Sequence, residues 1–323
     1  MKKVLNILIV IIALLLAVSC DQIKLSGGGE GGGGEGDGVV SWAGIRVSDY
    51  GMKESYGEDN FPSETKMKEL MGKMASYYDG STGTAILIVG TITTKEEDNG
   101  DVEKGSCSLK FPLSKKIANA RGYESVDVYE SYLTAFDKAG YSVWLQVEPG
   151  DADLVELATE VMSHYSKHKC VKGFGIDVEW YKYRYNAQKD EETSSKLSDE
   201  EAKKVVDAVK KIKSDYTVFV KHWDERWLPE TYRNGLVFIN DSQGFRSERG
   251  RSALENMRDE FADWAETFAP SPVMFQIGYK ADKWIWSQFK NPAKELGAYI
   301  AEGCTYGNKL GIIWVDFTLN QVL

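Results

Sequence analysis

From Val39 onward, short apolar runs alternate with segments whose apolar residues recur every three to four positions. The runs are "VSWAGIRVS", "TAILIVGTI", "SVWLQVEP", "GFGIDVEW", "YTVFVKHW", "LVFIND", "PVMFQIGY" and "GIIWVDFT". Near-continuous hydrophobicity over so few residues is the mark of strands buried on both faces. Between them, "SETKMKELMGKMASYY" sets Met67, Leu70, Met71 and Met74 on one helical stripe, and "DLVELATEVMSHYSKH" does the same with Leu154, Leu157, Val161, Met162 and Tyr165. Ser198 with Glu201, and Ser252 with Glu255, have the spacing of capping boxes that open helices. Strand alternating with helix predicts parallel βαβ units. Eight such strands predict one α/β domain, a (β/α)8 barrel of the kind that typically takes about 250 residues, with the last outer helix missing. An open doubly wound sheet is the other arrangement, but no glycine-rich phosphate fingerprint follows the first strand.

The residues before Val39 read differently. Lys2 and Lys3 precede an apolar run from Val4 to Val18, then Ser19 and Cys20. A positive start and a short apolar stretch predict a secretory signal rather than a spanning helix. "LAVSC" resembles a bacterial lipobox, which implies cleavage before Cys20 and lipidation of that cysteine. "SGGGEGGGGEGDG" then reads as a solvated tether with a reach on the order of 25 Å. The expected organisation is signal peptide over 1–19, lipidated cysteine and tether over 20–38, and barrel over 39–323. The expected place is the bacterial cell envelope, periplasmic or surface-exposed, with the membrane as a partner through the lipid.

Composition narrows the chemistry. A formal charge of −10 over 323 residues argues against a nucleic-acid phosphate binder. Cys107, Cys170 and Cys304 allow at most one disulfide, so the fold must rely on its core. No CxxC or histidine-rich spacing calls for a metal, and no motif calls for a cofactor.

In a barrel the chemistry gathers where strands end and βα loops begin. Asp177 and Glu179 stand two apart at the end of the fourth run, a spacing that on a strand turns both carboxyls to one side. Arg46, Glu148, Lys221, His222, Asn240, Asp241, Gln276, Tyr279, Trp314 and Asp316 end other strands. Trp180, Trp223, Trp227, Trp284, Trp286 and Trp314 fall on the same side, among the chain's nine tryptophans. Carboxyls and amides beside flat aromatic faces suit a carbohydrate, whose ring faces stack and whose hydroxyls hydrogen-bond.

"VKGFGIDVEW" resembles the strand-four signature of glycoside hydrolase family 18, the chitinases and endo-β-N-acetylglucosaminidases, which ends Asp-x-Glu. Val171, Gly173, Phe174, Ile176, Asp177 and Glu179 stand where that pattern asks for them, while Lys172 and Gly175 replace acids. "GIIWVDF" is similar to the family's eighth strand, with Trp314 as the floor of the sugar site. The resemblance implies retaining hydrolysis of an N-acetylated glycan, assisted by the substrate's own acetamido group. Glu179 is then the general acid and Asp177 the residue that orients the acetamide, with Gln276 or Tyr279 holding its oxygen. Arg46, Glu148, Trp180, His222, Asn240, Asp241, Trp314 and Asp316 complete the expected sugar site. The departures at Lys172 and Gly175 keep open a non-catalytic glycan-binding lipoprotein on a degenerate barrel. A metal hydrolase using Asp177, Glu179, His222, Asp224 and Asp241 is a further alternative. A phosphodiesterase would need more cations than Arg46 and Lys221. The charged stretch from Thr93 to Gly122 reads as a flap or rim, and "NAQKDEETSSK" after the fourth strand as solvated surface.

Overall fold

Each of the eight apolar runs forms one strand in the computed structural model, which describes residues 38–94, 103–123, 125–186 and 191–323. The strands are β1 (Val40–Val47), β2 (Thr82–Thr94), β3 (Ser142–Val147), β4 (Val171–Asp177), β5 (Thr217–Lys221), β6 (Leu236–Asn240), β7 (Val273–Ile277) and β8 (Leu310–Trp314). Each pairs in parallel with the next, and β8 pairs with β1, so the sheet closes into a (β/α)8 barrel. The expected signal, lipidation site and most of the tether lie outside the described residues.

Among the described residues, six helices of ten or more residues cover the barrel: α1 (Glu64–Ala75), α2 (Glu130–Ala139), α3 (Leu154–His164), α4 (Asp199–Ile212), α5 (Ala253–Phe268) and α6 (Pro292–Gly303). Both expected capping boxes are formed, at Ser198 and Ser252. Methionines 67, 71 and 74 and Leu70 are buried, as their spacing predicts. The connection from β5 to β6 has no α-helix, only a 3-10 turn at Glu225–Trp227. Its sequence, "HWDERWLPETYRNG", has no helical stripe and carries Pro229. After β8 the chain makes a 3-10 turn and the four-residue helix Leu319–Val322, in place of a full outer helix.

Two stretches read as loops are instead strands. Glu103–Leu109 runs antiparallel to the end of β2, and Arg184–Asn186 pairs with both Glu103–Lys104 and Glu191–Thr193. The loops after β2 and β4 thus form one small sheet on the barrel rim. The missed signal is the alternation Gly105, Cys107, Leu109, Phe111, all buried, between polar neighbours.

Inside the barrel lies an apolar cluster of Ile86, Trp144, Phe219, Val237, Ile239, Met274 and Ile313, separate from the core between strands and helices. Strand side chains repeat every two residues. Moving two positions toward the strand ends therefore puts Gln146, Lys221, Asp241 and Gln276 in the layer above. A dry plug supports a charged mouth. Cys107, Cys170 and Cys304 are buried and unbridged.

Candidate active site

The site is built around Lys221, which stands opposite Asp177 in the β4–β5 register. Its Nζ lies 3.1 Å from Asp177 Oδ2 and 3.9 Å from Glu179 Oε2, and it donates to Asp241 Oδ2. Gln146 Nε2 donates to the same Asp177 oxygen at 3.1 Å. One ammonium therefore faces three carboxyls, and the excess negative charge favours retained protons.

The two β4 acids do not share a strand face as expected. β4 ends at Asp177, and Glu179 sits on a 3-10 turn, Val178–Trp180, closed by the Tyr181 N–H donating to Val178 O. Asp177 is consequently sealed at the barrel top, whereas Glu179 leaves about 34% of its side chain exposed. Burial, and then the charge of Asp241, push the Glu179 carboxyl up to about 7, with Lys221 opposing. Burial likewise holds Asp177 well above the usual carboxylate range. For Lys221 burial works against the charge, but Asp177, Asp241 and Glu179 outweigh it and keep the amine protonated.

Backbone bonds lace the Glu179 turn in place. Gly150 N–H donates to Trp180 O at 3.0 Å, Lys182 N–H to Gly150 O at 2.8 Å, and Gly105 N–H to Tyr183 O at 3.1 Å. Gly150 has φ +55, and a Cβ there would come within 2.5 Å of Gly105. Only glycine lets the three segments close on one another.

A cleft of about 880 Å³ opens beside Glu179, bounded by the loop after β6 and by α5. A second, of about 480 Å³, is lined by Trp180, Tyr183, His222, Trp223 and Trp227. Glu179 and Trp223 belong to both walls. Below, Asp177 Oδ1, Asp241 Oδ1, Gln146 Oε1 and Gln276 Nε2 are buried with no protein partner among the described residues. Buried polar atoms are ordinarily satisfied, so unpaired ones converging under a cleft mark a place where a polar ligand or water completes the set.

Other expected residues have different surroundings. Arg46 and Asp316 are spent on each other, Nε to Oδ1 at 2.8 Å, with Ser48 Oγ donating to the second oxygen at 2.6 Å. They join β1 to the turn after β8, and neither lines the two clefts. Trp314 is fully buried among the helix-facing residues, its Nε1 donating to Thr318 and its ring packed on Trp286. The floor expected of Trp314 is not where the structure places it: strand alternation turns Ile313 inward and Trp314 outward. Glu148 accepts from Tyr50 OH at 3.0 Å and Ile92 N–H at 2.8 Å. Asn240 accepts the Ser242 N–H at 2.7 Å. Tyr279 OH donates to Gln276 Oε1 at 3.2 Å. His222 stacks on Trp227 with ring centroids 5.2 Å apart, and burial lowers it to about 4. Trp180 remains half-buried on the cleft wall.

The metal alternative is opposed by the same geometry. An ammonium already stands among three of the proposed ligands, Asp224 is engaged by the guanidinium of Arg226, and His222 Nδ1 accepts the Asp224 N–H at 2.9 Å. Gly175 is also explained. A Cβ there would meet the Phe219 ring at 2.1 Å, so the space an acid would take is filled by the plug. Sequence reasoning passed over Lys221 as a hub, because only strand register sets it among the acids. It also missed Glu260 on α5 and the arginines after β6, which become cleft residues through the path of one loop.

Neither a protein-family model nor a curated protein matches the sequence. Solved structures resemble its architecture. β-glucuronidase 3 of Bacteroides uniformis is 12% identical with TM-score 0.42, over 86% of this chain and 32% of that one. An endo-1,4-β-mannanase from Eisenia fetida is 11% identical with TM-score 0.44, over 88% and 89%. Endo-glycoceramidase II from Rhodococcus sp. is 8% identical with TM-score 0.47, over 86% and 73%. The chain thus spans about a third of the first and most of the other two. These are likenesses of fold, and the chemistry is read from this chain's own side chains.

Proposed function

We propose that the protein is a glycoside hydrolase in which Glu179 is the general acid, acting on an N-acetylated glycan. The observation that carries this reading is Glu179 itself: a carboxyl held at about 7 by burial, still reachable at the junction of two clefts. A proton donor with that affinity is matched to work near neutrality. In the reaction the Glu179 proton passes to the glycosidic oxygen as the C1–O bond breaks. The acetamido oxygen closes onto C1 to form an oxazolinium, and Asp177, beside Lys221, orients the acetamide. Water then adds at C1, returns a proton to Glu179 and reopens the ring. Two features favour the acetamide over a protein nucleophile. The last barrel-facing position of β7 is Gln276 rather than an acid, and Asp241 is held by Lys221. Gln276 Nε2, buried without a partner among the described residues, is a donor suited to a carbonyl oxygen. The "LAVSC" pattern and glycine run support a lipid-tethered protein of the bacterial envelope.

A non-catalytic glycan-binding reading draws on Gly175, where Phe219 occupies the room an additional acid would need. The deciding experiment is turnover of chitotetraose and of aryl N-acetylglucosaminides by the wild type and by Glu179→Gln. Hydrolysis that Glu179→Gln abolishes while binding survives supports the enzyme. Binding without hydrolysis by the wild type overturns it.

A further inference from the structure

The two clefts that meet at Glu179 differ in chemistry. One is walled by aromatic rings. The other carries Arg246, Arg249 and Arg251 on the loop after β6, on a protein whose overall charge is −10. That loop is fixed rather than slack. Asp282 accepts the Gly244 and Phe245 N–H groups, both at 2.9 Å, and Asn256 Nδ2 donates to Arg246 O at 2.7 Å. Its tip is a two-residue turn closed by reciprocal bonds between Glu248 and Arg251, with Arg249 at φ +52 and Gly250 at φ +82. Such turns favour asparagine or glycine at the first position. An arginine there costs backbone strain without gaining a partner among the described residues.

Arg251 is paired with Asp259. Arg246 and Arg249 form no ion pair among the described residues, although Glu248 and Glu260 share their cleft. Arg246 Nη1 donates to Phe245 O at 3.0 Å, which leaves its other N–H groups, and the whole Arg249 guanidinium, without an ion pair among the described residues. Two such guanidiniums lining the cleft that Glu179 shares are suited to a planar or tetrahedral anion, which arginine engages in a bidentate manner. An acidic protein repels acidic polymers in general, so local cations would be needed to receive one. We infer that the substrate is an acidic glycan, with a carboxylate- or sulfate-bearing sugar seated against Arg246 and Arg249 and uncharged sugars on the aromatic side of Glu179. This inference rests on the glycan reading above.

The test is calorimetric binding to mature protein of three N-acetylated probes: chitotetraose, which is neutral; hyaluronan oligosaccharide, which adds carboxylates; and keratan sulfate oligosaccharide, which adds sulfates. The expected result is at least tenfold tighter binding of one acidic probe, identifying the anion, and parity with chitotetraose in Arg246→Ala/Arg249→Ala. Arg249→Gly, which relieves the positive φ, should lose part of the preference without loss of thermal stability. Chitotetraose bound as tightly as both acidic probes, or a preference surviving in the double variant, overturns the inference and leaves the glycan reading standing. No binding of any probe overturns both.

Discussion

At the residue scale, the placement of Glu179 sets a stability signature as well as a chemical one. Its carboxyl rises from 4.5 to about 7 on folding. The folded state therefore binds more protons between those values, and the stability it contributes is present below about 4.5 and lost as pH rises through 7. Glu179→Gln lacks this loss. Its melting temperature relative to wild type should climb between pH 5 and pH 8, while its turnover falls by about 10²–10⁴; thermal melts at the two pH values and initial rates check both. Lys221 makes the complementary case. Removing one partner of a buried ionic cluster typically costs about 3–5 kcal/mol. Lys221→Gln should be destabilised in urea titrations, and more at pH 8 than at pH 5, because the orphaned carboxyls repel most when ionised.

At the element scale, Gly175 on β4 and Phe219 on β5 form one packing unit. Forcing a methyl group into a filled core commonly costs about 1–3 kcal/mol. Gly175→Ala should lose stability by that order, and Phe219→Ala in the same chain should restore part of it; a double-mutant cycle in denaturant reads the coupling. The sequence made the eight strands plain because each is apolar throughout, and it made the capped helices plain because Ser198 and Ser252 precede acids at the right spacing. It showed Asp177 and Glu179 as a pair. It did not show that Lys221 lies between them and Asp241, since that depends on the register of strands distant in the chain. Nor did it show that Trp314 turns away from the mouth, because a fully apolar strand carries no alternation to reveal which face points inward. The rim strand around Cys107 was legible in its alternation but masked by its serines.

At the scale of the whole molecule, the lipobox-like ending and the barrel make separate predictions. Incorporation of a palmitate analogue should mark the wild type expressed in a bacterial host and be lost in Cys20→Ala; label persisting in that variant would refute the anchor. The closed sheet implies that the barrel, freed of residues 1–37, unfolds in one calorimetric transition, since no strand can leave without opening two neighbours. Two resolved transitions would contradict this.

The lacing of Gly105, Gly150 and the Trp180–Tyr183 segment has a kinetic consequence. The position of the Glu179 carboxyl is settled when the chain folds, so a ligand arriving there meets a finished surface and need not wait for one to assemble. Association should then be a single exponential whose rate rises linearly with ligand concentration, without the plateau that marks a preceding rearrangement. Placing a side chain at position 150 would loosen the turn and introduce that plateau, moving the slow event from the encounter itself to the settling of the loop.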